Sequence, residues 1–517
     1  MKKSLKTAIA LLLILALALP LAACKKKEPE VPVKDSITIA MTQDSGTLDP
    51  MIISGLDLVY AVHMIYDQLW YFDENGEEVM MLATSRERID YLTFRVKLRE
   101  GIKFSNGNTF EADDVLYSLD HANNRPGQPG ILPQLDVANS KIVDKYTVDL
   151  VFTEFRLTLM DSISALCMLD KQTSESDPET LATRPIGTGP YVMTEYVVNS
   201  HLTLKQRDEY WGTMPAIKNY KFVQLKEEAQ QVNALETGEV DMGAIPFQDV
   251  DYVTNLPNLK VDTALGFVSS AIYFNISDTS IFNENPDARK AVAYAINRDA
   301  INKLAYSGTG TVSAGAADGS APDGDPRMFG MGIYGDDYKP DLAKELAVSS
   351  GITGKSIRLI NNGTSAAALT SELIQANCKE VGITVEVISL DMGTWTTYLF
   401  DDTQYDMCID GLMIATSASS FGGSWAFGYN FMAAGSYVNY EFNGKARAFE
   451  LLDTVQTNEN ADERTAMNYE LAKICVDDML WYNLVAPTTS WGLNSALQGK
   501  IRNGGNVVAL LRNLSWS

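Results

Sequence analysis

Residues 92–121 read LTFRVKLREGIKFSNGNTFEADDVLYSLDH, and two different periodicities meet within them. Apolar and polar residues alternate over residues 92–98, which is typical of a strand with one exposed face. Residues 110–121 have the spacing of a helix, with Thr109 as a candidate N-cap and a favourable acidic first turn. The stretch therefore predicts a strand that leads through a turn-rich link into a helix.

The same mixture of elements extends along both flanks of this stretch. Residues 37–41 and 383–390 alternate like strands. Residues 227–237 predict a helix that ends at Gly238, and residues 371–381 predict a helix that ends before Gly382. The chain is therefore expected to be α/β or α+β throughout.

A long helix is predicted to begin at Asn285, which would cap it, with Pro286 at its first position. One face of that helix is apolar and carries Ala291, Val292, Ala295 and Ile296. Residues 307–335 form the longest irregular run, and a loop of this length in a compact protein is usually functional or mobile.

The first 24 residues predict export. A basic start precedes an apolar run over residues 8–19, which is too short to span a bilayer, since spanning takes about 20 apolar residues. Residues 21–24, Leu-Ala-Ala-Cys, resemble the lipobox of bacterial lipoproteins, in which the cysteine is lipidated and becomes the first residue. We expect residues 1–23 to be a signal peptide and residues 24–36 to be lipidated Cys24 and a disordered tether. An ordinary secretory signal with a chance cysteine is the alternative.

Composition narrows the class of protein. With 517 residues, the chain is too long for one core and predicts about two to four domains. A net charge of −24 repels phosphate backbones, so we expect no nucleic-acid partner. Beyond Cys24, four widely spaced cysteines are predicted to be buried thiols, with disulfides as the alternative in an exported protein: Cys167, Cys378, Cys408 and Cys475.

Motifs for catalysis are not found in the sequence. His63, His121 and His201 have no second histidine three or four residues away, and no H-E-x-x-H or G-x-S-x-G pattern occurs. The sequence therefore predicts no metal site, no cofactor and no enzyme activity.

Several segments in order resemble the extracellular solute-binding proteins of ABC transporters, in the oligopeptide, dipeptide and nickel family known as family 5. The longest is residues 94–119. The others are Thr47-Leu48-Asp49-Pro50, Gly187-Thr188-Gly189-Pro190-Tyr191, Tyr210-Trp211-Gly212, and residues 274–275 with 288–298. The glycines of the Gly-Thr-Gly-Pro-Tyr segment are interpreted as structural rather than ligand-contacting.

The resemblance implies an α/β, two-lobed fold like that of periplasmic binding proteins, with the ligand cleft between the lobes. Lobe I would comprise residues 37–75, 186–276 and 487–517, with an extra subdomain over residues 76–185. Lobe II would comprise residues 277–486.

The function implied by the resemblance is capture of a small solute, a peptide or peptide-like molecule, by hinge closure and its delivery to a membrane permease. The protein would be a monomer, anchored by lipid on the outer face of the cell membrane. A sensory receptor for a signalling partner and a surface hydrolase are the alternatives.

The resemblance also suggests cleft residues from both lobes. Gln43, Ser45 and Thr47 are expected on the first lobe. On the second lobe, Leu412, Met413, Ala415 and Thr416 would line one wall, and Phe421, Trp425 and Tyr429 would provide stacking surface. Alternatively, these aromatic residues anchor a long loop to the core. Trp395 is interpreted as a core or lobe-edge residue, with a place in the lining of the cleft as the alternative.

One departure from the family bears on the ligand. Peptide-binding members have a tryptophan and then an acidic residue that pairs with the peptide's amino terminus. Here Leu412 stands at the tryptophan position, and Ala415 or Thr416 stands where the acid is expected. The sequence therefore argues against anchoring a peptide by its α-amino group through an acid at this point.

Overall fold

The computed structural model describes residues 34–52, 56–72, 78–124, 131–265, 268–316, 323–335, 338–413, 441–499 and 511–517. Two large mixed sheets and one smaller antiparallel sheet organise this part of the chain. Together with the helices that cover the sheets, they form the predicted α/β fold.

The first large sheet has seven strands in the order β12-β19-β11-β1-β10-β9-β8. The strands are β1 (Ser36–Met41), β8 (Tyr191–Val197), β9 (His201–Gln206), β10 (Asn219–Gln224), β11 (Met242–Ile245), β12 (Leu259–Leu265) and β19 (Thr488–Asn494). Strand β1 occupies the middle and pairs in parallel with β10 and β11. In this strand Ile37 is buried, Thr38 is half-buried, and the residues from Ile39 to Met41 are all buried, as expected for a central strand.

The second large sheet has six strands in the order β14-β18-β13-β17-β15-β16. The strands are β13 (Val268–Phe274), β14 (Thr311–Val312), β15 (Ser356–Asn361), β16 (Thr384–Ser389), β17 (Met407–Met413) and β18 (Trp481–Ala486). Strand β13 lies within residues 186–276, which were expected to belong to the first lobe, but the structure places this strand in the second sheet. It pairs with β17 over its whole length and with β18 on its other side.

The extra subdomain contains the third sheet, with the order β4-β5-β7-β6. Its strands are β4 (Ala83–Asp90), β5 (Thr93–Leu98), β6 (Lys141–Asp144) and β7 (Thr147–Val151). The remaining strands form two antiparallel pairs: β2 (Trp70–Phe72) with β3 (Glu78–Met80), and β20 (Leu497–Gln498) with β21 (Ser515–Trp516).

Helices flank the three sheets. The first seven are α1 (Leu56–Ile65), α2 (Ala112–Asn123), α3 (Thr158–Ser164), α4 (Lys171–Ser176), α5 (Glu179–Thr183), α6 (Glu228–Thr237) and α7 (Val250–Thr254). The others are α8 (Pro286–Ala295), α9 (Arg298–Ala305), α10 (Pro340–Ser349), α11 (Ser365–Glu380), α12 (Met392–Leu399), α13 (Lys445–Val455) and α14 (Ala461–Asp478).

Two helix boundaries differ from the sequence expectations for local reasons. Helix α2 starts after Glu111 rather than Thr109, because Glu111 and Asp114 form a reciprocal capping box. The long helix predicted from Asn285 ends at Ala295, where Ile296 turns extended. Asn297 then caps α9 by accepting a hydrogen bond from the Ala300 amide at 2.9 Å, so one predicted helix is two.

The irregular run over residues 307–335 is partly tied to the second lobe. Arg298 donates to the carbonyls of Ser313 and Asn483, and its guanidinium lies 5.1 Å from the ring centres of both Tyr334 and Tyr482. The Trp481 indole donates to the Ala316 carbonyl at 3.2 Å. These contacts hold the start of the run against β18.

Two large hydrophobic cores lie in different parts of the molecule. One packs under the six-stranded sheet, and the other joins the seven-stranded sheet to the extra subdomain. Separate cores joined by few chain connections are the physical basis of lobes that can move as bodies.

Candidate functional site

Two chain crossovers connect the two large sheets. Strands β1, β10, β11 and β12 run the same way, so their carboxyl ends share one edge with the start of β19. In the other sheet, β15, β16, β17 and β18 run the same way, and their carboxyl ends share one edge with the start of the antiparallel β13. Ligands of open α/β sheets bind outside such carboxyl edges. Here the chain passes from one carboxyl edge to the other at both crossovers.

The ends of the two crossovers lie side by side, and this region is called the hinge below. One leads from Leu265 to Val268 and the other from Ala486 through Pro487 to Thr488. Leu265 is paired with Thr488 in the first sheet, and Ser270 is paired with Val485 in the second. In two-lobed binding proteins, domain closure takes place about a few residues in connections of this kind.

The first-lobe residues predicted for the cleft follow the carboxyl end of β1. Gln43, Ser45 and Thr47 lie in an irregular loop, in which Gln43 is exposed and Ser45 and Thr47 are half-buried. Asp44 holds this loop, because its carboxylate accepts from the Tyr196 hydroxyl at 2.6 Å and from the Asn199 amide at 2.7 Å. The loop therefore starts at the carboxyl edge of the first sheet.

The second-lobe wall begins at the carboxyl end of β17. Leu412 is paired with Ser269 and Met413 with Val268, so the strand brings both to the hinge edge. Ala415, Thr416, Phe421, Trp425 and Tyr429 lie outside the described residues, as does Cys24. The structure therefore brings the backbone of two predicted second-lobe residues to the carboxyl edge of the second sheet, beside the start of β13.

Hydroxyl groups surround the hinge, and the sequence reasoning missed them. Ser269 and Ser313 hydroxyls lie 2.9 Å apart, and the Thr488 hydroxyl donates to that of Thr309 at 3.2 Å. The Ser270 hydroxyl is buried and has no hydrogen-bond partner among the described residues. In the sequence, these hydroxyl groups appear as Ser269-Ser270 after one crossover and as Thr488-Thr489-Ser490 after the other. Only the pairing of the strands shows that the two runs are neighbours.

Other residues singled out in the sequence have structural positions. Trp395 is 7% exposed and belongs to the second-lobe core, which supports its core interpretation. A Cβ atom on Gly187 or Gly189 would lie 2.1 Å or 2.6 Å from the Ile65 carbonyl oxygen, which supports a structural role for both glycines. The four cysteines are buried thiols: Cys167, Cys378, Cys408 and Cys475.

The histidines lie at separate places in the structure. His63 Nδ1 donates to the Val59 carbonyl at 2.7 Å, and burial lowers the pKa of His63 to about 4. His121 lies 2.9 Å from the Asp49 carboxylate, and His201 lies 3.2 Å from Glu195. Within the described ranges, no group of three His, Cys, Asp or Glu side chains is placed to hold a metal ion.

A separate groove of about 550 Å³ lies on the first lobe between Trp211, Met214 and the segment around Ser515. All of its lining residues belong to the first lobe and its subdomain, so it is not the interlobe cleft. Among the described helices, none is both long and apolar enough to cross a membrane.

The family is decided by a match to the model of bacterial extracellular solute-binding proteins, family 5, over residues 77–432. That match covers more than half of the chain. The chain is a family 5 extracellular solute-binding protein. The family expected from the sequence motifs is thereby confirmed.

Sequence similarity to other solute-binding proteins extends along most of the chain. The glutathione-binding protein GsiB of Salmonella typhimurium is 24% identical over 470 residues, covering 88% of this chain and 90% of the relative. GsiB of Shigella flexneri is 24% identical over 469 residues, covering 87% and 88%. The similarity thus includes both lobes and the extra subdomain.

Solved structures confirm the two-lobed fold. The ABC transporter substrate-binding protein CtaP of Listeria monocytogenes has a TM-score of 0.79 and 20% identity, covering 94% of this chain and 99% of that one. The oligopeptide-binding protein AppA of Bacillus subtilis, in complex with a nonapeptide, has a TM-score of 0.76 and 17% identity, covering 94% and 99%. NikA of Staphylococcus aureus, in complex with Ni(L-His)₂, has a TM-score of 0.73 and 18% identity, covering 93% and 100%. Because ligands as different as a nonapeptide and a nickel chelate occur on this fold, the fold alone does not identify the ligand.

Proposed function

We propose that this solute-binding protein captures a short peptide or peptide-like solute between its lobes and delivers it to an ABC permease. The observation that carries the proposal is that two chain crossovers join the carboxyl edges of the two large sheets, where hydroxyl-bearing residues gather. Binding alone is proposed, with no bond made or broken. A ligand that contacts both edges would shift the protein toward its closed state.

The hinge hydroxyls support a ligand rich in amide or hydroxyl groups. A buried hydroxyl without a partner costs free energy, so the Ser270 hydroxyl would gain a partner when the cleft is filled. The relatives named for glutathione binding and the neighbour with a bound nonapeptide favour the same ligand class. Because the family's acidic anchor is absent from its usual place, we propose that the ligand's α-amino group is not held by a carboxylate there.

We further propose that Phe421, Trp425 and Tyr429 cover the ligand, together with Ala415 and Thr416. Trp425→Ala is expected to weaken binding at least about tenfold, or 1.4 kcal/mol, with little change in melting temperature. Trp516→Ala is the matched control, because Trp516 lies beside Ser36 at the start of β1, the end remote from the cleft. Equal affinity of the Trp425 variant and the wild type would remove this residue from the site.

The ligand can be sought directly by native mass spectrometry of protein purified gently from its source cells. We expect a retained mass that matches a short peptide or a peptide conjugate. Titrations with reduced glutathione and with a linear tripeptide would then rank the two. Turnover of either probe by the purified protein would contradict the binding-only proposal.

We propose a monomeric protein on the outer face of the membrane, with residues 1–23 removed, Cys24 lipidated and residues 24–33 as the tether. The tether is shorter than the expected 24–36, because Lys34 pairs with Asp241 and strand β1 begins at Ser36. Lobe I would comprise residues 37–75, 186–265 and 487–517, with the extra subdomain over residues 76–185. Lobe II would begin at β13 and end at residue 486. Cys24→Ala is expected to move the protein from the membrane fraction to the soluble fraction. Retention of the variant in the membrane fraction would exclude the lipid anchor.

A further inference from the structure

The two lobes also touch at a place that belongs to neither sheet edge. The segment after β7, residues 154–157 in the extra subdomain, contacts the junction of helices α13 and α14 in the second lobe. The Leu157 amide donates to the Gln456 carbonyl at 2.8 Å. The Arg156 guanidinium donates to the Gln456 side chain, and Arg88 of β4 pairs with Glu459.

These contacts complete the end of a helix. Gln456 is the C-cap of α13, where backbone carbonyls lack partners within the helix and the helix dipole is negative. The opposite lobe supplies the Leu157 amide to this end. Beside it, Arg156 lies 4.0 Å from the Asp453 carboxylate and Arg88 pairs with Glu459, which follows the helix. The subdomain is therefore complementary in charge to the second lobe at this junction.

Both arginines of the contact also have partners within the extra subdomain. The Arg88 guanidinium lies 4.1 Å from the ring centre of Phe155 and 4.8 Å from that of Tyr91, and it donates to the Tyr91 carbonyl at 3.0 Å. Arg156 is also paired with Glu154 at 3.0 Å. Because the donors are positioned within the subdomain, little side-chain freedom is lost when the contact forms.

We propose that Arg88, Arg156 and Leu157 form an interlobe clasp with the α13–α14 junction, which sets the closed fraction of the protein and thereby its ligand affinity. The clasp lies outside the hinge, so opening about the two crossovers separates its partners. A protein whose closed state is less populated binds its ligand more weakly in proportion, although no ligand contact has changed. The clasp thus tunes affinity without determining which solute is bound.

The first test needs no ligand, so it is independent of the proposed function. The full mature protein is stripped of ligand by unfolding and refolding, and hydrogen exchange is followed in the peptide that contains the Leu157 amide. The double variant Arg88→Ala/Arg156→Ala is expected to exchange about tenfold faster there and to have a larger radius of gyration in X-ray scattering. Arg447→Ala is the matched control, because it breaks an exposed pair with Glu470 within the second lobe.

The second test uses reduced glutathione as the probe. We expect the double variant to bind it about three- to tenfold more weakly, mainly through faster dissociation, with the control unchanged. If wild type does not bind glutathione, that probe is excluded as a ligand, while the exchange and scattering results still decide the clasp. Unchanged exchange at Leu157 and an unchanged radius of gyration in the double variant would overturn the proposal.

Discussion

Arg512 ties the end of the chain to the first lobe. Its guanidinium contacts the fully buried Asp67 carboxylate at 2.6 Å and donates to the Tyr66 carbonyl at 2.7 Å. Asp67 also accepts from the Trp211 indole at 2.8 Å and from the Tyr210 hydroxyl at 3.2 Å. The family motif around Tyr210 therefore acts as part of a buried ion-pair network rather than as part of the interlobe cleft.

Replacing this single arginine tests the network. Arg512→Met is expected to lower the free energy of unfolding by about 3–5 kcal/mol, because it leaves the Asp67 carboxylate buried without its cation. Lys473→Met, which breaks the exposed pair with Asp477, should cost less than about 1 kcal/mol. Urea denaturation followed by circular dichroism measures both. Equal effects of the two variants would contradict a stabilising buried pair.

His63 predicts how stability depends on pH. Its pKa is lowered to about 4 by burial and by the nearby Arg512 charge, so between pH 6.5 and 4 the unfolded chain binds a proton that the folded one does not. The free energy of unfolding therefore has its full value above pH 6.5. It decreases as the pH falls from 6.5 toward 4, by up to about 3 kcal/mol, because protonation favours the unfolded chain. His63→Gln should remove this contribution from the pH dependence.

The His63 comparison is a difference between two proteins measured at each pH. Burial raises the pKa of Asp114 to about 7, which gives a slope of opposite sign, but that contribution is common to wild type and variant. The difference in unfolding free energy therefore isolates the histidine. Parallel stability curves from pH 7 to pH 4 would show that His63 does not titrate in this way.

The segment that leads into strand β8 packs against the carboxyl end of helix α1. The Gly189 amide donates to the Ile65 carbonyl at 2.8 Å, and the Gly187 carbonyl accepts from the Ser105 amide at 2.9 Å. A Cβ atom on Gly189 would lie 2.6 Å from the Ile65 oxygen, a backbone atom that cannot rotate away. This segment therefore requires glycine for close approach of two backbones.

Gly189→Ala is accordingly expected to destabilise the protein by at least about 2–3 kcal/mol, since the strand and the helix must separate. Gly351→Ala is a useful comparison, because Gly351 has a positive φ of 75° but an added Cβ atom would meet nothing within 4 Å. There only the backbone penalty of about 1 kcal/mol should appear. Thermal and urea unfolding give both values, and a Gly189 variant as stable as the Gly351 variant would refute the packing argument.

At the scale of the whole molecule, each of the two large hydrophobic cores contains at least one buried cysteine thiol. Cys167 belongs to the core of the first lobe and its subdomain, whereas Cys378 and Cys475 belong to the core of the second lobe. Burial raises the pKa of all three thiols, that of Cys378 to about 12. Both burial and a high pKa suppress reaction with alkylating reagents in the folded state.

Thiol labelling along a urea titration should therefore show whether the lobes unfold separately. We expect Cys378 and Cys475 to become reactive together, at a urea concentration different from that for Cys167, because each core is a cooperative unit. Alkylation at each urea concentration followed by peptide mass spectrometry assigns the sites. One common midpoint for all three thiols would show a single cooperative unit instead.

Much of the fold follows from local sequence. Alternation located β1 and β5, Gly238 and Gly382 marked two helix ends, and Asn285 with Pro286 marked a helix start, because these signals act within a few residues. The helix start at Glu111 was missed, since Thr109 is an equally good cap until the Asp114 side chain is seen to close a capping box. The helix break at Ile296 was missed because the apolar pattern continues through it.

Contiguous residues were enough to establish the family, the mixed α/β class and many of the elements, because caps, alternation and family motifs each occupy a short stretch of chain. Three-dimensional packing was needed to place β13 in the second sheet, to gather the hinge hydroxyls and to join Arg156 to Gln456. Such pairings depend on contacts between segments up to hundreds of residues apart, for which one sequence holds no local pattern. For the same reason, Leu412 and Met413 could be proposed from a motif, but only strand pairing brought them to the hinge.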